Sequence, residues 1–162
     1  MKKLTIIITV FIGLFVFTSC QSPEKQIVNK TWYVFSVGIS QDADNSDANY
    51  VYFNKSRGTS THWFFTEEGG YSIIENGNIV GGKWKMMNKS LIRLSEVVFN
   101  PNSSYNVREI EMLKINDNEL VLRYKSILNN SPIYTTLYFK SNLDEWPDNS
   151  EIDKLNAQNK AL

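Results

Sequence analysis

Hydrophobic and polar positions divide this chain into three regimes. Between Leu4 and Phe17 every residue is apolar except Thr5, Thr9 and Gly13, behind a basic Lys2-Lys3 pair. From Ile27 to Lys140, short runs of β-branched and aromatic residues alternate with clusters of Asn, Asp, Gly and Ser, which is the punctuation of strands and turns. After residue 140 the chain becomes polar. The central runs predict strands over Thr31–Gly38, Asn49–Asn54, Thr61–Thr66, Tyr71–Glu75, Ile79–Met87, Ser90–Ser95, Val107–Ile115, Glu119–Tyr124 and Ile133–Lys140. Glu68-Gly69-Gly70, Asn76-Gly77-Asn78 and Asn116-Asp117-Asn118 tolerate positive φ and predict tight hairpins. Asp42–Asp47 and Asn100–Ser104 predict longer polar loops. In the first run Trp32 and Val34 oppose Tyr33, Phe35 and Val37, while Leu120, Leu122 and Tyr124 share a face.

Evenly spaced strands joined by tight turns predict an all-β fold, an antiparallel up-and-down meander that hides its edges by closing into a barrel. No helical period of useful length precedes residue 148. The segment Asp148–Leu162 can form a short helix with Ile152 and Leu155 on one side, or remain a frayed tail. No repeat of 20–50 residues is present, which argues against propellers and solenoids.

Composition narrows the chemistry. A chain of 162 residues is one domain's worth, and 17 basic against 17 acidic residues remove the electrostatic argument for nucleic acid as a partner. A single Cys excludes an intrachain disulfide, and with a single His it leaves no Cys/His zinc cluster. The apolar run at the N-terminus is too short for a comfortable bilayer span, which takes about 20 residues, and fits a signal-peptide core instead. It ends on Phe17-Thr18-Ser19-Cys20, with the only cysteine at its boundary.

That boundary resembles a bacterial lipoprotein signal, with Phe17 where the family usually has Leu. The resemblance implies removal of residues 1–19, diacylglycerol and palmitate on Cys20, and a lipidated tether over residues 20–26. The membrane, reached through acylated Cys20, is then a partner. Gln21–Gln26 lacks a dense acidic run, so the expected address is the bacterial cell envelope, at the outer membrane facing the periplasm, with the cell surface as the alternative.

The body carries a second resemblance. Ile27-Val28-Asn29-Lys30-Thr31-Trp32 resembles the Leu-x-Gly-x-x-Trp opening of lipocalin-like domains in Bacteroidetes lipoproteins, with Asn29 for Gly. Trp63–Tyr71 is similar to the family's Phe-x-x-Asp-Gly-x-Tyr hairpin, with Glu68 for Asp. Asn76–Trp84 resembles its Gly-x-Trp strand, and Ile110–Leu122 its paired late strands. Over Ile27–Phe139 this implies a lipocalin-like barrel of about eight strands occupying residues 27–140, with Trp32 plugging the closed end and a C-terminal tail over 141–162. Such barrels serve many purposes, so the fold does not fix a ligand.

Candidate chemistry is sparse. His62 is the sole imidazole and has no Gly-x-Ser-x-Gly nucleophile to serve. Glu67-Glu68 and Asp144-Glu145 are adjacent and point apart. Asp42–Asp47 alternates oxygen donors but lacks the central Gly and the twelfth-position Glu of a calcium loop, where Phe53 stands. The sequence therefore assigns no catalytic residue, no metal ligand and no cofactor. Tyr33, Phe64, Tyr71 and Trp84 are the candidates to line a ligand pocket, unless the aromatics simply fill the barrel. The leading expectation is a non-enzymatic, lipid-anchored envelope protein that binds a small apolar ligand. The alternatives are an interaction or inhibitor lipoprotein with a filled barrel whose partner is an envelope protein, and, more remotely, an envelope hydrolase with carboxylates converging from different strands.

Overall fold

The computed structural model describes residues 22–44, 48–96 and 107–159. Residues 1–19, Cys20 and the Asn100–Ser104 loop lie outside the described residues, as do residues 45–47 of the acidic loop. Nine strands form: β1 (Thr31–Ser40), β2 (Asn49–Tyr52), β3 (Thr61–Phe65), β4 (Gly70–Glu75), β5 (Asn78–Asn88), β6 (Leu91–Glu96), β7 (Val107–Ile115), β8 (Glu119–Leu128) and β9 (Ser131–Lys140). From β3 to β9 each strand pairs antiparallel with the next, and β1 joins β3 on one side and β9 on the other. The ring β1-β3-β4-β5-β6-β7-β8-β9 closes, so this is an all-β, antiparallel up-and-down barrel of eight strands. The ninth, β2, pairs with Ser36–Ile39 of β1 alongside the ring.

Turn chemistry sets the hairpins. Asn76 and Gly77 take φ of 49° and 85° between β4 and β5, and Asn129 and Asn130 take 51° and 62° between β8 and β9. Two consecutive left-handed residues match the twist of a two-residue hairpin, which Asn and Gly tolerate and branched residues do not. The Asn129-Asn130 turn lets β8 run four residues beyond the expected Tyr124.

A bulge in β1 reverses part of the expected facing. The β9 register shifts between Val34 and Ser36, so Phe35 and Ser36 both face the outside and Val37 joins Trp32 and Val34 inward. Strict alternation places Val37 with Tyr33 and Phe35; the extra residue moves it across the sheet.

One end of the barrel is plugged. The helix α1 (Pro23–Ile27), a single turn with Pro at its start, forms within the polar run read as a tether. It delivers Ile27 and Val28 to the core, and the wholly buried Trp32 donates its indole N–H to the Ile27 carbonyl at 2.8 Å. Asn29 adopts φ 57°, a left-handed conformation that Asn tolerates better than most residues, and its N–H reaches the Phe65 carbonyl at 2.9 Å. Above this plug Phe65, Ile92, Leu120 and Leu122 pack a solid lower core.

The outer side of β1 is covered by the segments after β2 and β9. The helix α2 (Lys55–Thr59) is one turn, N-capped by Asn54, whose side chain accepts from Arg57 N–H at 3.0 Å. Its Lys-Ser-Arg-Gly-Thr sequence has no period to predict it by. After a 3₁₀ turn at Leu143–Glu145, Trp146 is buried and donates to the Phe53 carbonyl at 3.0 Å. Helix α3 (Asn149–Asn159) then packs along β2. Asn156 presents its side-chain amide to Tyr52 as a neighbouring strand would: Oδ1 accepts from Tyr52 N–H at 2.8 Å and Nδ2 donates to Tyr52 C=O at 3.0 Å. The free edge of β2 is thereby closed by a side chain.

Candidate functional site

Opposite the plug the barrel interior opens. Above the solid core lies a cavity of about 460 Å³, within the range of about 300–1,000 Å³ typical of small-molecule sites. Val34, Trp63, Ile73, Leu94, Ile110 and Leu137 supply most of its apolar lining, to which Ser60, Thr61, Asn76 and Thr135 add polar groups. The six apolar residues come from six strands and are all inward by register: Trp63 pairs with Trp32, Ile73 with Val80, and Val37 with Leu137.

Charge is confined to the rim, where strands end. Glu75 closes β4, Glu96 closes β6 and Arg108 is the second residue of β7, while Arg57 enters from α2. Arg108 and Glu96 form an ion pair at 3.4 Å. Among the described residues the four charged side chains that line the rim thus balance two against two.

The four residues expected to line a pocket divide into two pairs. Tyr71 and Trp84 are inward and buried, at 5% and 6% exposure. Trp84 lies below the cavity, its ring edge-on to Phe65 at 5.3 Å and its N–H on the Thr66 carbonyl at 3.0 Å. Tyr71 shares its strand face with Ile73 and Glu75, which line the cavity. Its hydroxyl is buried and has no hydrogen-bond partner among the described residues. Burial, and secondarily the Glu96 carboxylate, push its ionisation up to about 12, with the Arg108 guanidinium acting the other way. Tyr33 and Phe64 sit at outward positions, Tyr33 tilted against the His62 ring at 5.6 Å and Phe64 opposite Thr31 and Ser72.

The structure therefore does not bring these four together, because adjacent strand residues face opposite ways and the choice of Tyr33 over Trp32, or Phe64 over Trp63, is a choice of face. The residues that do line the cavity belong to the same runs: Trp63 stands one position from Phe64, and Ile73 two positions from Tyr71 on the same face. His62 is outward as well, its Nδ1 3.2 Å from the Thr59 carbonyl, and so stands apart from the cavity.

A second recess of similar size runs along the outside of the barrel, between β2, β9 and the bulged part of β1, and is lined by Tyr50, Tyr52 and Tyr138. The Tyr138 hydroxyl lies 3.5 Å from that of Tyr50, and burial followed by this contact raises its ionisation well above the usual phenol range.

No protein-family model and no curated protein matches the sequence. Solved structures similar in shape include LTBP1 in complex with LTC4, at 9% identity and a TM-score of 0.48, covering 91% of this chain and 86% of that one. The bovine lipocalin allergen Bos d 2 superposes at 11% identity and 0.45, covering 85% and 88%. Bovine odorant-binding protein bound to a selenium-containing odorant does so at 10% and 0.38, covering 88% and 85%. Those bound compounds belong to those proteins; the barrel assignment above rests on strand order and closure.

Proposed function

We propose that this protein is a non-catalytic binding protein that holds a small, largely apolar molecule inside its barrel. The observation that carries the reading is the cavity itself: a space of about 460 Å³, more apolar than polar in its lining, above a packed core, at the end that α1 and Trp32 do not plug. A filled barrel would have had its side chains meet across this space, as Trp63 and Phe139 do lower down at 5.4 Å. Apolar walls supply binding free energy of roughly 25 cal/mol per Å² of ligand surface removed from water.

The test uses full-length protein carrying Cys20→Ser, purified without detergent so that no detergent tail competes. N-phenyl-1-naphthylamine should bind at about one per chain and quench tryptophan emission through Trp63. Val37→Trp, which extends an indole into the cavity, should abolish uptake while leaving the circular dichroism intact. Equal uptake by both proteins defeats the cavity reading.

The Cys20 anchor belongs to the same proposal. With lipid on Cys20, the first described residues enter at the plugged end, so the open end would point away from the membrane that holds the protein. Cys20→Ser should abolish palmitate incorporation and release the protein from the membrane fraction; retained incorporation ends the lipoprotein reading and leaves the cavity untouched. The envelope address, with the outer membrane facing the periplasm, stands or falls with that result.

A second reading, attachment to another envelope protein, is favoured by a different observation. Ile79, Val107, Ile127 and Leu128 project from strand ends around the mouth with 53–73% exposure. Crosslinking that captures one defined envelope protein, lost on Ile127→Asp, would favour it.

A further inference from the structure

The bulge in β1 also shapes the outer recess, a hollow of about 470 Å³. One row of paired residues crosses it from β7 to β2. Lys114 stands opposite Val121, Val121 opposite Tyr138, Tyr138 opposite Ser36, and Ser36 opposite Tyr52. The extra residue sets the small Ser36 in the middle of that row and turns Phe35 outward beside it. The rings around the hollow are held by one another before any ligand arrives. Tyr50 lies across Gly38, where a Cβ would stand 2.4 Å from the ring, and meets Tyr138 edge-on at 5.7 Å. Tyr52 meets Phe35 edge-on at 5.5 Å. Rings fixed in this way lose little freedom when a flat molecule settles against them.

Charge separates this recess from the interior cavity, whose rim is balanced. Its charged lining residues are Lys114, Glu119 and Lys140. Lys114 donates to the Glu119 carboxylate, and those two charges match. Lys140 makes no ion pair among the described residues; its ammonium stands 5.2 Å from the centre of the Phe35 ring and donates to the Glu145 backbone carbonyl at 3.4 Å. The Glu145 carboxylate is taken instead by the Asn118 and Asn142 amides, at 2.7 and 3.1 Å. One cation is thus left over at the edge of an aromatic hollow.

We propose that the recess is a second binding site, for a small aromatic carboxylate whose ring lies against Phe35, Tyr52 and Tyr138 and whose carboxylate accepts from Lys140. An ammonium in the same place would meet Lys140 as a like charge, and an aliphatic acid would leave the rings without a stacking partner. The recess and the interior cavity share no lining residue, so this inference stands apart from the cavity reading.

The experiment titrates isotope-labelled, full-length Cys20→Ser protein with 2-naphthoate, 2-naphthamide and 2-naphthylmethylamine, and follows backbone amide shifts. The acid is expected to bind at about one per chain and to move the Ser36, Tyr52, Val121 and Tyr138 amides, with Ile73 and Leu94 of the interior unmoved. The amide, which keeps the ring and loses the charge, should bind about tenfold more weakly, and the amine more weakly still. Lys140→Gln should weaken the acid about tenfold, as loss of one charge-assisted hydrogen bond does, and change the amide less than twofold. Absence of binding by the acid overturns the inference, as do shifts confined to interior residues. Equal affinity for acid and amide, or an unchanged affinity of Lys140→Gln for the acid, overturns it as well. Should that variant fail to fold, the ranking of the three compounds on the parent decides alone. Failure of N-phenyl-1-naphthylamine to bind ends the cavity reading and leaves this one standing.

Discussion

The indole of Trp146 lies directly on Gly58. A Cβ at residue 58 would stand 2.2 Å from the ring and 2.7 Å from the Val34 carbonyl oxygen. The chain after β9 thus reaches back and clamps the only turn of α2 against β1, with Phe35 edge-on to the same indole at 5.5 Å. A glycine in a helix ordinarily costs about 1 kcal/mol relative to alanine; here the close approach outweighs that penalty.

Gly58→Ala is therefore expected to destabilise the protein by about 1–3 kcal/mol, although it improves helix propensity, because the backbone oxygen of Val34 cannot move aside as a side chain could. Denaturant midpoints compared at constant m-value measure it. A stabilising effect would mean that Trp146 does not pack there.

Asn156→Ala should cost about 1–2 kcal/mol by leaving both backbone groups of Tyr52 without their amide partner. Hydrogen exchange is the sharper readout: the Tyr52 amide should lose protection while β8 amides keep theirs. Asn156→Asp should fall between, since it retains the acceptor for Tyr52 N–H and loses the donor to its carbonyl.

Trp84→Ala should cost about 3–5 kcal/mol, the range for truncating a buried aromatic, through lost transfer free energy and a residual hole beside Phe65. Because Trp84 lies beneath the cavity floor, its removal should lower stability without abolishing dye uptake wherever the variant remains folded. A denaturant midpoint close to that of the parent would place Trp84 outside the core.

Alkaline stability should report Tyr71. Its ordinary pKa of 10.0 is raised by burial to about 12 in the folded chain. Between those values the unfolded chain has released the proton and the folded chain keeps it, so stability falls as pH rises, by at most about 1.4 kcal/mol per unit for this group. Tyr71→Phe should shallow that slope over pH 10 to 12. Tyr138, also raised by burial, leaves a remainder. An unaltered slope would show that the Tyr71 hydroxyl meets water.

Strand positions were legible because each is a β-branched or aromatic run ended by Asn, Asp or Gly, and the nine runs lie where nine strands form. Facing was legible only where alternation is unbroken, as in Leu120, Leu122 and Tyr124, which all turn inward. At Phe35-Ser36 the bulge broke it, and nothing in the composition of that run marks an extra residue. Lining residues were harder still. Tyr33 and Phe64 are as apolar as Trp32 and Trp63, and only pairing between strands tells which member of each neighbouring pair looks inward. The Tyr71 hydroxyl, the balanced rim and the Asn156 amide bridge join residues 11 to 104 positions apart, so no local pattern carries them.

The barrel wall is stitched unevenly. β8 and β9 share ten register pairs, whereas β1 and β3 share three, at Thr31–Tyr33. Above Tyr33 the two strands part, and the opening between them is filled by α2, whose Arg57 also borders the cavity. Local unfolding follows the least-bonded path, so the wall yields first at this short seam and its five-residue stopper rather than in the long hairpins. Trp146, pressing on Gly58, holds that stopper in its seam, so the strength of one indole contact sets how firmly the weakest part of the wall stays shut.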